Sequence, residues 1–223
     1  MLGQKNWIVI LVTSHSLQLY GFGVSEVQTI PLPATTIDNL EIINRDQLYT
    51  LITDWTKQRT YTNTNIYWLL APDVCFEQTL TGTDPAKLDS ETLQFLDTVP
   101  FEKVLSRVYP QIDGRKIVAV NHDLITGLMQ GFALHGYTTK AVVPSQLAQA
   151  DSTLTPEIAH YSAKHMAELS RESLITISDI SANQPVSVTK HVSPPEKSKS
   201  SLPVLLAIFA ILLAILLKYQ QLS

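Results

Sequence analysis

Trp7-Ile8-Val9-Ile10-Leu11-Val12-Thr13 is the stretch that decides the fold. It is a short apolar run rich in β-branched residues, and such runs read as buried strands. It is too short for the apolar part of a secretory leader, and it passes straight into the polar, turn-like Thr13-Ser14-His15-Ser16. Leu17, Leu19, Tyr20 and Phe22 then suggest a returning strand, ended by Gly21 and Gly23, and Glu26 to Pro31 suggests a further one. The chain therefore opens as a meander of short strands.

Helical signals follow. Asn44 offers an N-cap, Asp46 lies in the first turn, and Leu48, Leu51, Ile52 and Trp55 fall on one helical face. Ile66 to Ala71 reads as a second buried strand closed by Pro72-Asp73, and Val74 to Leu80 as a continuation of the sheet. Thr81-Gly82-Thr83-Asp84-Pro85 is a turn cluster that marks a boundary between lobes. Leu88 to Leu96 predicts a short helix. Pro100 predicts the start of another, with Phe101, Val104, Leu105 and Val108 at helical spacing and Pro110 at its end.

Asp113-Gly114 is a turn signal and Ile117 to Val120 a buried strand. Asn121 caps the next helix, Asp123 suits its positive end, and Leu124, Leu128 and Phe132 form its apolar stripe up to Gly136. Gly127 and Gly131 inside that helix each cost about 1 kcal/mol relative to Ala, which predicts close packing onto a sheet. Thr138 to Val143 reads as a strand. Thr155-Pro156-Glu157 starts a helix with Ile158, Tyr161, His165 and Leu169 on one face, and Leu174 to Ile177 reads as a last short strand.

The tail has a different character. Residues 183–201 have no periodicity and several prolines and serines, the composition of a flexible linker. Leu202 to Leu217 carries no polar side chain and makes roughly 24 Å of helix, enough with its flanks to cross a bilayer core. The predicted membrane span is 202–219, with Leu202, Pro203, Leu206, Phe209, Leu213 and Leu217 as anchor residues and 220–223 as a short tail. Lys197 and Lys199 before the span outweigh Lys218 after it, so the positive-inside rule places the 1–182 head in the cytoplasm of a single-pass protein.

The 223 residues leave room for one ordinary domain or two small ones before the tail. A net charge of −4 with no basic cluster in the head excludes a nucleic-acid surface. The single cysteine, Cys75, excludes an internal disulfide framework and a paired-Cys zinc site. Cys75 reads as a small core residue. His160 and His165 are not at the i, i+4 spacing of a helical metal pair. His122 and Asp123 are adjacent at a helix start, where neighbouring side chains diverge and capping explains the aspartate.

Three stretches carry a resemblance: Val99-Pro100-Phe101-Glu102-Lys103-Val104, Ile117-Val118-Ala119-Val120-Asn121-His122-Asp123-Leu124-Ile125, and Gly136 through Val143-Pro144-Ser145-Gln146-Leu147-Ala148. In this order, behind the opening strands and helix, they resemble the actin-like PilM family of pilus-assembly proteins, and are similar to the cytoplasmic part of the GspL secretion proteins. Coverage runs from Lys5 to Ala150, the first half of such a protein. The resemblance implies an α/β fold: a truncated actin-like (ribonuclease H-like) head with a mixed sheet and a small lobe inserted near 81–116, followed by one transmembrane helix. It also implies a place in the inner-membrane platform of a type IV pilus or type II secretion system.

Actin-like folds hold ATP between two lobes, with a first phosphate loop of the form D-x-G-S/T-x-S at a β-hairpin. The corresponding hairpin here keeps the hydroxyls of Thr13, Ser14 and Ser16 but has neither the Asp nor the Gly. The expectation is therefore a scaffold that binds partner proteins and the bilayer, with no catalytic residue, cofactor or metal, and with homo-oligomerisation left open. The alternatives are a nucleotide-responsive actin-like ATPase completed by another chain, and a generic tail-anchored adaptor.

Overall fold

The computed structural model describes residues 6–57 and 64–175. Chain contacts divide the protein into units 1–189 and 190–223, and the described residues belong to the first. The linker, the membrane span with Leu202, Pro203, Leu206, Phe209, Leu213 and Leu217, and Lys197, Lys199 and Lys218 lie outside the described residues. Among the described residues no helix is long and apolar enough to cross a membrane.

The first strand, β1 (Trp7–Val12), lies at the middle of a five-stranded sheet. It turns back antiparallel into β2 (Ser16–Gly21), which pairs antiparallel with β3 (Val24–Pro31). A two-residue ribbon, β4 (Ile37–Asp38) with β5 (Glu41–Ile42), leads into helix α1 (Arg45–Lys57), where Asn44 Oδ1 accepts from the Gln47 amide. On its other side β1 pairs parallel with β6 (Thr64–Leu70).

Beyond β6 the chain leaves the large sheet. Strand β7 (Phe76–Thr81), helix α2 (Pro85–Thr98) and the hairpin of β8 (Val104–Gln111) with β9 (Gly114–Asn121) build a three-stranded antiparallel sheet in the order β7-β9-β8. Helix α3 (His122–Ala133) returns the chain to β10 (Tyr137–Pro144), parallel to β6. Helices α4 (Pro156–Lys164) and α5 (Met166–Arg171) complete the described chain. The large sheet is thus mixed, ordered β10-β6-β1-β2-β3, with β2 alone running against the rest.

Two cores explain the unbroken apolar run of β1. Ile8, Ile10 and Val12 pack on one face with Leu48, Ile52 and Trp55 of α1 and Leu124, Leu128 and Phe132 of α3. Val9 and Leu11 pack on the other with Leu154, Ala159 and Leu169 from the α4–α5 side. A strand covered on both faces has no solvent side on which to place polar residues. The Phe132 ring meets Trp68 edge-on at 5.4 Å and Tyr137 at 5.7 Å, while the Trp68 indole donates to Thr139 Oγ1.

Four readings of the sequence change. The predicted helix over Phe101–Val108 is strand β8: the i, i+3, i+4, i+7 spacing is present, but the Asp113-Gly114 turn, with Gly114 at φ +148°, closes a hairpin over eight residue pairs. Pro110 is accommodated because β8 is an edge strand. Strand β7 joins the small sheet rather than extending the large one, so the inserted strands reach from Phe76 to Asn121, beyond the expected 81–116 on both sides. Gly127 and Gly131 admit Ile42 of β5 and Ile52 with Tyr49 of α1, so the close approach is to a helix and a ribbon, not to a sheet. The helix expected through Leu169 breaks at His165, whose ring stacks on Tyr161 at 4.0 Å.

At the far end, Ser173 Oγ accepts from the Val142 amide and Leu174 N–H donates to the Val142 carbonyl beside β10. Arg107 of β8 donates to the carbonyls of Arg171 at 2.6 Å and Ser173 at 2.8 Å, and Tyr109 Oη donates to the Glu172 carbonyl. The small sheet is thereby fastened to the end of α5 through main-chain atoms.

Ile10→Ala, at the fully buried centre of β1, is expected to cost about 2–5 kcal/mol in urea unfolding. Ile112→Ala, at the exposed tip of the β8–β9 hairpin, is expected to stay within about 0.5 kcal/mol of the parent.

Candidate functional site

The parallel register of β1 and β6 ends in Val12 beside Leu70, and the Ala71 amide donates to the Val12 carbonyl at 2.9 Å. Two polar turns therefore meet at the carboxyl ends of neighbouring parallel strands, where α/β sheets commonly place ligands. One is Thr13–Ser16, the turn singled out by its hydroxyls. The other is the short helical turn Pro72–Val74, which carries Asp73.

Hydrogen bonding within this site is closed on itself. The Thr13 amide donates to the Ser16 carbonyl at 2.9 Å. The Ser14 amide donates to Asp73 Oδ2 at 2.9 Å, and the Ser14 hydroxyl to the same oxygen at 2.6 Å. The amides of His15 and Ser16 both donate to Thr13 Oγ1, at 3.3 and 3.0 Å. Thr13 Oγ1 in turn reaches the Ser16 carbonyl at 3.1 Å, and the His15 carbonyl accepts from Leu32. A phosphate cradle needs several backbone N–H groups converging on open space. Here all four amides from Thr13 to Ser16 are committed, and the group facing the Ser14 amide is already an anion.

The structure thus brings Thr13, Ser14 and Ser16 together, and adds Asp73, which the sequence marked only as the end of a strand. The signal that finds it is topological: once β1 and β6 are parallel neighbours, Pro72-Asp73 must end beside Thr13-Ser14.

Asn121 caps α3 as expected, its Oδ1 accepting from the amides of Asp123 and Leu124. Its Nδ2 donates to the Leu40 carbonyl, tying the β4–β5 ribbon to the start of α3. His122 departs from expectation. Its ring does not diverge from Asp123: Nδ1 lies 2.8 Å from Asp123 Oδ1, while Nε2 is enclosed without a hydrogen-bond partner among the described residues. No hydrogen bond among the described residues joins this pair to the Thr13–Ser16 turn. His160 sits edge-on to Trp7 and Tyr20, at 5.7 and 5.5 Å between ring centres. Among the described residues no group of three or more His, Cys, Asp and Glu side chains is arranged to hold a metal ion.

Cys75 follows the Asp73 turn and is partly buried. Burial, reinforced by the nearby Glu77 carboxylate, pushes its thiol up to about 12. Burial likewise raises Tyr109, against the lowering influence of Arg107.

No protein-family model and no curated protein sequence matches the chain. Solved structures similar to it include the cytoplasmic domain of EpsL, an inner membrane component of the type II secretion system of Vibrio cholerae. That match has 14% identity and a TM-score of 0.40, over 64% of this chain and 57% of that one. A PilM–PilN type IV pilus biogenesis complex is similar at 12% identity and a TM-score of 0.45, over 63% of this chain and 48% of that one. The chain spans about half the length of these relatives.

Asp73→Ala removes the acceptor of two bonds at an exposed site and is expected to lower stability by about 1 kcal/mol. Hydrogen exchange at the Ser14 amide should accelerate, which amide-resolved exchange checks. At pH 8 a thiol with its pKa near 12 holds roughly one thiolate in ten thousand, against about a quarter for an ordinary cysteine. Iodoacetamide is therefore expected to label Cys75 on the order of a thousandfold more slowly in the native protein than in urea, as read by mass spectrometry.

Proposed function

We propose that this chain is a membrane-tethered scaffold of a type IV pilus or type II secretion platform, with an actin-like head in the cytoplasm that binds partner proteins and performs no catalysis. The observation that carries this reading is the committed Thr13–Ser16 turn. The hairpin that corresponds to a phosphate loop spends its amides on Thr13 Oγ1, on Ser16 and on the Asp73 carboxylate. A phosphate entering there must displace a hydroxyl and an aspartate that already make those bonds, and must approach a like charge.

The element order supports the actin-like assignment. A meander, a helix, a parallel strand, a small inserted sheet whose last strand is β9, then a helix and a further parallel strand follow one another in the order that the resemblance implies. Ile117–Ile125 spans β9 and the start of α3, and Gly136–Ala148 spans β10 and the turn after it. The apolar Leu202–Leu217 run supplies the tether in this proposal, and Lys197 and Lys199 its orientation. Tethering raises the local concentration of the head at the membrane, so modest surface complementarity suffices for recruitment.

Titration calorimetry of the full chain with Mg-ATP is expected to give no heat of binding up to millimolar nucleotide; micromolar binding overturns the non-catalytic reading. Cross-linking in native membranes is expected to recover platform proteins with the full chain and to lose them when 202–217 is deleted. Equal recovery from the detached head overturns the tethering role.

A further inference from the structure

The two larger sheets end in four outer strands, and three of these edges are blunted. β3 contains Pro31 and its ladder shifts register opposite Leu19 and Gly21. β10 shifts register between Thr139 and Ala141, and Ser173 and Leu174 bond to its Val142. β8 contains Pro110, which stands at an outward-facing position of its ladder and removes an amide there. Proline, register shifts and a covering segment are the usual protections of a strand edge.

β7 has none of these. It is six residues long, Phe76-Glu77-Gln78-Thr79-Leu80-Thr81, paired with β9 in an unbroken register, without proline or lysine. The bond from the Gly82 amide to the Asp113 carbonyl sets the phase of the ladder. Antiparallel pairs alternate, so Phe76, Gln78 and Leu80 bond toward β9, while the N–H and C=O groups of Glu77, Thr79 and Thr81 face outward. Among the described residues those outward groups meet no hydrogen-bond partner. Beside them runs a groove of about 510 Å³ between β7 and α2, lined by Gln78, Leu80, Lys87, Glu91, Phe95 and Thr98 among others.

The edge is complementary to itself. In an antiparallel pairing centred on Thr79, the outward residues match as Thr79 with Thr79, Glu77 with Thr81 and Thr81 with Glu77, which makes about six main-chain hydrogen bonds. No like charges oppose each other, threonine faces threonine, and Glu77 is already paired with Lys116 at 2.7 Å. The same two-fold axis runs α2 antiparallel to its copy, bringing the end that carries Lys87 toward the end that carries Asp97. We propose that β7 is a self-pairing edge, through which two copies of this chain join their small sheets into one continuous sheet. This inference stands apart from the scaffold reading, since the edge pairs whether or not platform proteins are recruited.

Sedimentation of the full chain in detergent, at concentrations from about 1 to 100 μM, tests it. The parent chain is expected to dimerise. Thr79→Pro removes an N–H that the β7–β9 ladder does not use, and is expected to weaken the dimer at least about tenfold with the circular dichroism spectrum unchanged. Independently, Thr79→Cys in a Cys75→Ala background places two thiols at the axis within disulfide range, about 5.5 Å between Cα atoms. It is expected to give a covalent homodimer on mild oxidation, whereas Ser106→Cys on β8 is not. A parent chain that stays monomeric at 100 μM, a dimer indifferent to Thr79→Pro, or a Thr79→Cys disulfide formed only with a different protein in native membranes overturns the proposal.

Discussion

The parallel pairing of β1 with β6 is the constraint on which the rest of the structure depends. Parallel neighbours cannot be joined by a hairpin, so the chain must leave and return between them. It does so by way of β2, β3 and α1, and repeats the manoeuvre through α3 to reach β10. Both crossovers step along the sheet in the same direction, and a shared handedness then puts both helices on one face. α1 and α3 do pack there, with the small side of α3 at Gly127 and Gly131 admitting Ile42, Tyr49 and Ile52. The opposite face is left to α4 and α5, and β1 becomes buried on both sides.

That geometry also decides which parts of the fold could be read from the residues. Two-sided burial writes an uninterrupted apolar run, so β1 and β6 are legible as strands in Trp7–Val12 and Ile66–Ala71. Caps are local, so Asn44, Asn121 and Thr155 announce their helices from one side chain and one or two amides. Strand β8 was illegible for a physical reason. Val104, Leu105 and Val108 satisfy a helical face and a strand equally over so short a span, and the choice is made by the partner strand β9 across the Gly114 turn. The two glycines of α3 showed that something approaches closely, but not what approaches. In the candidate site the hydroxyls of Thr13, Ser14 and Ser16 were visible, whereas Asp73 lies 59 residues from Ser14 and is brought there only by the β1–β6 register. The His122–Asp123 contact was missed because adjacency on a helix argues against it, and only the first-turn geometry at Asn121 permits the ring to fold back.

The Asp73 contact is more than a vacancy filled. Removing the carboxylate frees one amide, that of Ser14, and leaves those of His15 and Ser16 on Thr13 Oγ1. Removing the threonine hydroxyl as well still leaves a turn without glycine, whose amides cannot rotate freely to converge on one point. Several independent changes therefore separate this turn from an anion cradle. Each present bond is locally stabilising, so the turn is closed through its own groups and Asp73.

A turn closed through its own hydrogen bonds is ordered in advance of any contact. Pre-organised partners lose less conformational freedom on association than surfaces that must first be ordered. The small sheet extends the same logic. Arg107 and Tyr109 hold it to Arg171, Glu172 and Ser173 through carbonyl oxygens, and a guanidinium at the carboxyl end of α5 also meets the negative pole of that helix. The hold is mostly on the backbone, and the Glu172 carboxylate adds an ion pair to Arg107 at 3.3 Å. With β9 internal and β8 interrupted by Pro110, β7 is the outer strand of the small sheet that carries no proline. A sheet edge in unbroken register and without proline presents its hydrogen-bonding groups at regular spacing, the condition under which strand pairing between chains costs least.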